Sequence, residues 1–303
     1  MRKSPPSGLL LIDKPGGLTS FAVVRRVRRA LGVKKVGHLG TLDPLATGLL
    51  PLALGEATKL ARFLLEEPKT YMATVRFGVE TDTQDAAGRV VAHTDRLPGE
   101  EDIRRAAARF QGEILQTPPV YSAVRHEGRR LYTLARQGVE VAAAPRPVTI
   151  YRLEIRELAL PLMTILVECS KGTYIRTLAH DLGRDLGCGA HLAALSRLAV
   201  GPFRLEDALP LAQVEEDPEA ALRNGLIPLP ACLPRLPAVQ VDGRQARRLA
   251  QGQALPWTGN SLVEGEKLRV LSDGELVAVA TLRSGHSGRE LAPLRVFAAR
   301  LGG

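Results

Sequence analysis

Cysteine and histidine are scarce in this chain of 303 residues, with three and six respectively. Cys169, Cys188 and Cys232 make no even set for a disulfide framework, so they read as free thiols of a reducing cytoplasm. Long apolar runs are missing as well. The run that starts at Leu9 is stopped by Asp13, which leaves neither a membrane-spanning helix nor a signal peptide to expect, and no membrane partner. Metal-ligand spacing is incomplete. Cys188 and His191 stand near His180, but Cys169 and Cys232 do not supply the second pair a zinc site needs, so no metal is expected. No glycine loop ends in Gly-Lys-Ser/Thr, which excludes the phosphate-cradling loop of ATP or GTP enzymes. Repeats and low-complexity tracts are also absent. Acidic residues fall short of basic ones, 32 against 41, and the formal net charge is +9. Such an excess suits a polyanionic partner.

Hydrophobic residues make up 45% of the chain, enough for a packed core. The length allows one large domain and one small one. Ser20 stands where a helix cap is wanted. Behind it Val23, Val24, Val27, Ala30 and Leu31 form a helical apolar stripe that Gly32 ends. The other face carries Arg25, Arg26, Arg28 and Arg29, with Lys34 and Lys35 beyond. That face is either solvated or laid against phosphate. With no acidic residue at helical spacing to offset repulsion, phosphate is favoured. Residues 71–77 alternate with period two, so Tyr71, Ala73, Val75 and Phe77 share one face of a strand. Residues 163–169 read as another strand that delivers Tyr174 and Arg176 at its exit. A helix follows, with Leu178, Leu182 and Leu186 at four-residue spacing, closed by Gly187. Between these strands lie a helix over about 102–111 and a basic segment over 121–137. The pattern predicts an α+β body with one extended mixed sheet. Pro228, Pro230, Pro234 and Pro237 mark a break. Beyond it, β-like runs over 267–271 and 275–282 flank an Asp273-Gly274 turn.

The segment Gly37-His38-Leu39-Gly40-Thr41-Leu42-Asp43-Pro44-Leu45-Ala46-Thr47-Gly48 sets one carboxylate in a loop punctuated by three glycines. Pro44 biases Asp43 towards an extended or turn conformation, so its carboxylate projects from a stiff bend. An isolated Asp-Pro is most simply a turn. This loop, however, resembles the signature of the TruB family, the tRNA pseudouridine synthases. Further blocks stand in that family's order: Gly8-Leu9-Leu10-Leu11-Ile12-Asp13-Lys14-Pro15, Lys69-Thr70-Tyr71, Thr81-Asp82-Thr83-Gln84-Asp85, Pro118-Pro119-Val120-Tyr121-Ser122-Ala123, Gly172-Thr173-Tyr174-Ile175-Arg176-Thr177 and Gly187-Cys188-Gly189-Ala190-His191-Leu192. The likeness runs from about Gly8 to about Phe203. Leu39 departs from it, standing where the family more often carries a small or hydroxylated residue.

The resemblance implies a pseudouridine-synthase-like extended mixed β-sheet with flanking helices over residues 1–232. It also implies an RNA-gripping insertion at about 112–145 and a small PUA-like, RNA-binding β-barrel over 233–303. It implies that uridine is isomerised to pseudouridine in the T-loop, position 55 of tRNA, after the base is flipped out. Asp43 then carries the chemistry and Arg176 pairs with it. Tyr71 stacks on the base and accepts a proton, and His38 fills the space the base leaves. Lys14 orders the surroundings, Leu195 closes the pocket, and Tyr174, Arg125, Arg129 and Arg130 face the RNA. Replacing one isomer by another needs no redox step, so no cofactor is expected. A carboxylate in a dehydrated pocket has its pKa raised by burial, which a neighbouring guanidinium opposes. The expected partner is the tRNA T-arm stem-loop, bound by a cytoplasmic monomer without guide RNA. The alternative is an RNA-binding, tRNA-folding chaperone for which catalysis is not essential.

Overall fold

The computed structural model describes residues 6–120, 125–126, 129–130, 144–259, 262–285 and 288–297. At its centre, the strand Lys69–Phe77 buries every second residue, Tyr71, Ala73, Val75 and Phe77 among them. The alternation has the physical cause read from the sequence: successive side chains point to opposite faces, and one face meets the core. This strand pairs antiparallel with Ala190–Val200 on one side and Leu162–Cys169 on the other. Outward from Ala190–Val200 the sheet continues through Thr47–Leu54 and Gly8–Lys14 to Leu209–Pro210. Outward from Leu162–Cys169 it continues through Arg146–Ala159 to Gly112–Gln116. Thr47–Leu54 runs parallel to Ala190–Val200 and antiparallel to Gly8–Lys14, so the sheet is mixed.

The helices Ser20–Leu31, Glu100–Arg109 and Ile175–Asp185 give Val23, Val27, Ile103, Leu178 and Leu182 to the core that includes Tyr71, Ala73 and Val75. Gly32 ends the first helix in the left-handed conformation, where glycine has no Cβ to clash. Two details differ from the sequence reading. The N-cap is Thr19, whose hydroxyl accepts the Ala22 N–H. Ser20 lies one step inside because its buried hydroxyl is used elsewhere, on the backbone of Leu42. Nor is the arginine face wholly without acid: Arg26 pairs with Glu215 of the helix Leu211–Glu216. Spacing within one helix could not reveal a partner 189 residues away. Arg25, Arg28 and Arg29 remain exposed.

The C-terminal part forms a second sheet in the order Ala238–Gln240, Lys267–Ser272, Glu275–Gly285, Gly288–Val296, Leu255–Pro256, with the helix Gly243–Ala250 packed on its own core. Asp273 and Gly274 both take positive φ, as a tight hairpin turn demands. Leu276 and Val279 of this sheet, with Phe297 just beyond it, share a buried cluster with Leu9, Leu11, Leu49 and Cys232. Leu39 belongs to that cluster and is 1% exposed, so an apolar residue here seats the aspartate loop on the underlying core. Among the described residues no helix is long and apolar enough to cross a membrane.

Candidate active site

Asp43 sits in the loop between the strands Val36–His38 and Thr47–Leu54. Buried side chains hold the loop's backbone. Ser20 Oγ donates to Leu42 O at 3.0 Å and accepts from Leu42 N at 2.8 Å. Lys14, with no exposed surface, donates to Pro15 O at 2.9 Å, Leu18 O at 2.7 Å and Pro44 O at 3.4 Å. Gly48 is required by close approach: a Cβ there would lie 2.4 Å from Arg197 O, and φ is +95°. The carboxylate is what the loop leaves available, its side chain 37% exposed.

Arg176 enters from the first turn of the helix Ile175–Asp185 and is 5% exposed. Its Nε lies 2.9 Å from Asp43 Oδ2 and 3.7 Å from Asp85 Oδ2, so one guanidinium stands between two carboxylates. Nη1 donates to Thr83 O at 3.1 Å. Asp85 is buried, its Oδ1 accepting from Thr83 Oγ1 at 2.7 Å and Ala87 N at 3.0 Å. The helix start is fixed by Gln116, whose amide accepts Tyr174 N–H at 2.7 Å and donates to Tyr174 O at 3.0 Å. Tyr174 is thus held by its backbone, and its side chain is half-buried.

Tyr71 and Leu195 lie on the core-facing side of adjacent strands, where Leu195 is in register with Ala73 and Arg197 with Tyr71. His38 ends the strand Val36–His38, half-buried, in register with Leu52. Arg125 and Arg129 begin two short strands that pair with each other, Arg125 opposite Arg130. Their side chains and the rest of the basic segment lie outside the described residues. Cys188 Sγ is 3.3 Å from Gly189 O and His191 Nδ1 is 2.8 Å from Val79 O, so both serve the backbone.

Burial raises the Asp43 pKa above the ordinary carboxylate value, with the Arg176 charge the main opposing effect; Asp85 raises it further, and Lys14 lowers it. Burial likewise lowers Lys14 to about 8, the Asp43 charge opposing. Lys69, caged by Leu65 O and Glu67 O at 2.6 Å each, is lowered by burial to about 8. The Tyr71 phenol is raised by burial, against the pull of Arg197. Asp85 and Arg197 were not assigned to the site from sequence. Asp85 stood in the block Thr81-Asp82-Thr83-Gln84-Asp85, and Arg197, two residues after Leu195, shares its face by strand period alone.

Residues 28–175 match the TruB family pseudouridylate synthase N-terminal domain, and residues 176–233 match the tRNA pseudouridylate synthase B C-terminal domain. The chain is 50% identical over 248 residues to the tRNA pseudouridine synthase B of Aromatoleum aromaticum, covering 82% of this chain and 80% of that protein. It is 46% identical over 283 residues to that of Dechloromonas aromatica, covering 93% and 92%. A chain in the crystal structure of a Cbf5-Nop10-Gar1 complex aligns with a TM-score of 0.76 at 27% identity, covering 97% of this chain and 85% of that one. A chain of an H/ACA RNP bound to a substrate RNA containing 2'-deoxyuridine aligns with a TM-score of 0.73, also at 27% identity, covering 97% and 86%. The large mixed sheet is therefore the pseudouridine synthase fold. The two family domains abut between Ile175 and Arg176 and together span residues 28–233: the chain belongs to the TruB family of pseudouridylate synthases.

Proposed function

We propose that this chain isomerises uridine to pseudouridine in the T-loop of tRNA, at position 55, with Asp43 as the reacting carboxylate. The observation that carries the reading is the Asp43–Arg176 pair: a buried guanidinium 2.9 Å from a carboxylate that remains open to a substrate. In the net reaction the N1–C1′ bond breaks and a C5–C1′ bond forms. A proton leaves C5, and one is gained at N1. The rearrangement calls for an anionic group at the sugar or the ring, which an ionised Asp43 supplies. Arg176 holds that carboxylate charged and oriented. Tyr71 offers a ring for the base to stack on and, as its own phenol proton is passed on, an oxygen to take the C5 proton, and Leu195 closes the apolar side. Lys14 orders the loop from beneath.

A uridine stacked inside a folded loop must be extruded to meet Asp43, at a cost of a few kcal/mol recovered from stacking and phosphate contacts. His38 would fill the vacated space. Exposed Arg25, Arg28 and Arg29 suit RNA phosphate, and Arg125, Arg129, Arg130 and Tyr174 are assigned to the T-arm. The aligned chains come from a Cbf5-Nop10-Gar1 complex and from an H/ACA RNP bound to a substrate RNA. The basic segment over 121–137 instead supports a stand-alone cytoplasmic monomer that needs no guide RNA. Residues 1–232 would be the catalytic domain and 233–303 a PUA-like RNA-binding domain.

The test is direct. Purified protein without added cofactor is incubated with an unmodified tRNA transcript carrying C5-tritiated uridine. Tritium release is expected, with the product mapping to the T-loop. Asp43→Asn should abolish release and leave tRNA binding within severalfold. Near wild-type turnover by Asp43→Asn would refute the assignment.

A further inference from the structure

The bulkiest of the fully buried side chains is an arginine, Arg197, which is 1% exposed. It occupies the strand between two parts of the site. On the antiparallel side it is in register with Tyr71, and on the parallel side with Gly48, at the end of the Asp43 loop. Directly opposed residues share a face, so Arg197 and Tyr71 project together. Nε donates to Leu49 O at 2.8 Å, Nη2 to Gly40 O at 3.1 Å and Nη1 to Thr41 O at 3.4 Å. Its charge also acts on the Tyr71 hydroxyl, opposing the rise that burial causes. Both ion pairs of the site run to Arg176, and among the described residues no carboxylate pairs with Arg197.

A buried cation held by backbone carbonyls is an expensive way to fill a core. An apolar side chain of similar volume serves stability as well or better. What the apolar chain lacks is the rigid fork of donors. Here the fork spans the backbone on both sides of Asp43, with Tyr71 directly opposite on the adjoining strand. We infer that Arg197 is a positioning residue that fixes the Asp43 loop against the strand that carries Tyr71, and so governs the rate of isomerisation and not the affinity for RNA. The inference rests on the roles proposed above for Asp43 and Tyr71.

The experiment compares wild type, Arg197→Lys, Tyr71→Phe and the double variant by single-turnover tritium release from tRNA, with filter binding and thermal unfolding alongside. Arg197→Lys keeps the charge but cannot hold three carbonyls at once. A misplacement of about 1 Å predicts a rate loss on the order of 100-fold, with Kd for tRNA unchanged within about threefold. Because the two side chains face each other across adjoining strands, the double variant should lose little more than the worse single variant. Gly40→Ala approaches from the loop, with no need for the buried arginine to be replaced. Its methyl would lie 3.4 Å from Arg197 Nη1 at a φ of +108°, and the same rate-only loss is expected. Losses that multiply with Tyr71→Phe, a loss carried by Kd, or a near wild-type rate in Arg197→Lys would each overturn the inference. A merely structural role would lower the unfolding temperature and leave the two rate losses independent. If wild type releases no tritium, or Asp43→Asn still does, the site reading itself has failed and this inference falls with it.

Discussion

Replacing Arg176 by Met keeps the side-chain volume but deletes the cation between Asp43 and Asp85. Removing one partner of a buried ion pair costs about 3–5 kcal/mol, because the remaining charge is stranded. At 1.36 kcal/mol per pKa unit, that corresponds to roughly 2–4 units of further rise for a fully buried carboxylate. Asp43 is not fully buried. Its side chain is 37% exposed, so solvent screens the loss, and about half the range, roughly 1–2 units, is the better figure. The sign follows from the form that reacts. In the proposed role the carboxylate is the active form, so raising the pKa moves the acid limb of the rate profile to higher pH. The wild-type limb should already lie above the ordinary carboxylate value of 3.8, since burial outweighs the help of Arg176. The assay is single-turnover tritium release from C5-labelled tRNA between about pH 5 and 9, with binding measured at each pH. Arg176→Met should show its acid limb about 1–2 units higher, with partial recovery on the alkaline side. An acid limb that does not move, with a uniform loss at every pH, would refute this account of Arg176.

Lys14 and Lys69 predict a stability effect of the opposite kind. Both have folded-state pKa values near 8, below the ordinary 10.5, so between those values the unfolded chain binds more protons. Stability should therefore rise with pH across that window and be lowest below it. Lys14→Met should reduce the rise in Tm between pH 8 and 10.5 without abolishing it; an unchanged slope counts against the buried cation. Leu39→Ser removes a side chain that is 1% exposed in the cluster joining the aspartate loop to the C-terminal sheet. A loss of about 2–5 kcal/mol is expected by urea unfolding, and less than about 1 kcal/mol would show that the loop is not seated there. Affinity for tRNA should fall with salt, with a log–log slope of roughly −0.7 to −0.9 per phosphate contacted, and a flat titration would dismiss the basic faces as RNA contacts.

The parts of the fold legible in the sequence were those governed by local periodicity. Lys69–Phe77 reads as a half-buried strand because each residue alternates in environment, and Ser20–Leu31 reads as a helix because its apolar stripe and terminal glycine agree. What pattern could not supply was long-range partnership. Glu215 answers Arg26 from a distant helix, and Asp85 meets Arg176 only once the sheet is assembled. Ser20 misled for a related reason: serine is a good cap by residue type, but the hydroxyl is taken by Leu42 and the neighbouring Thr19 caps instead. Asp43 was legible because a glycine-rich loop around an Asp-Pro is rare and resembles a known signature. Arg197 was not, since a single arginine in an apolar strand looks like an exposed edge until both neighbouring strands are known.

The arrangement around Asp43 places the cost of order in the fold and not in the reaction. Loops are commonly the mobile part of a domain. In this one, Gly40, Thr41 and Leu49 offer their carbonyls to Arg197, Leu42 offers its own to Ser20, and Pro44 offers its own to Lys14 and to Gly17 N. Asp43 O is itself taken by Ala46 N. With the backbone satisfied on both sides, the carboxylate has little reorganisation left to undergo when charge develops near it, which is the condition under which a fixed dipole or charge accelerates a reaction most. A site this constrained does not reach for its substrate. In the proposed mechanism the conformational work then falls on the RNA, whose uridine must leave its stack, with the energy supplied by contacts made away from Asp43. A substitution on the exposed arginine face should accordingly weaken binding and extrusion together, while one in the buried frame should slow the chemistry of a base already delivered.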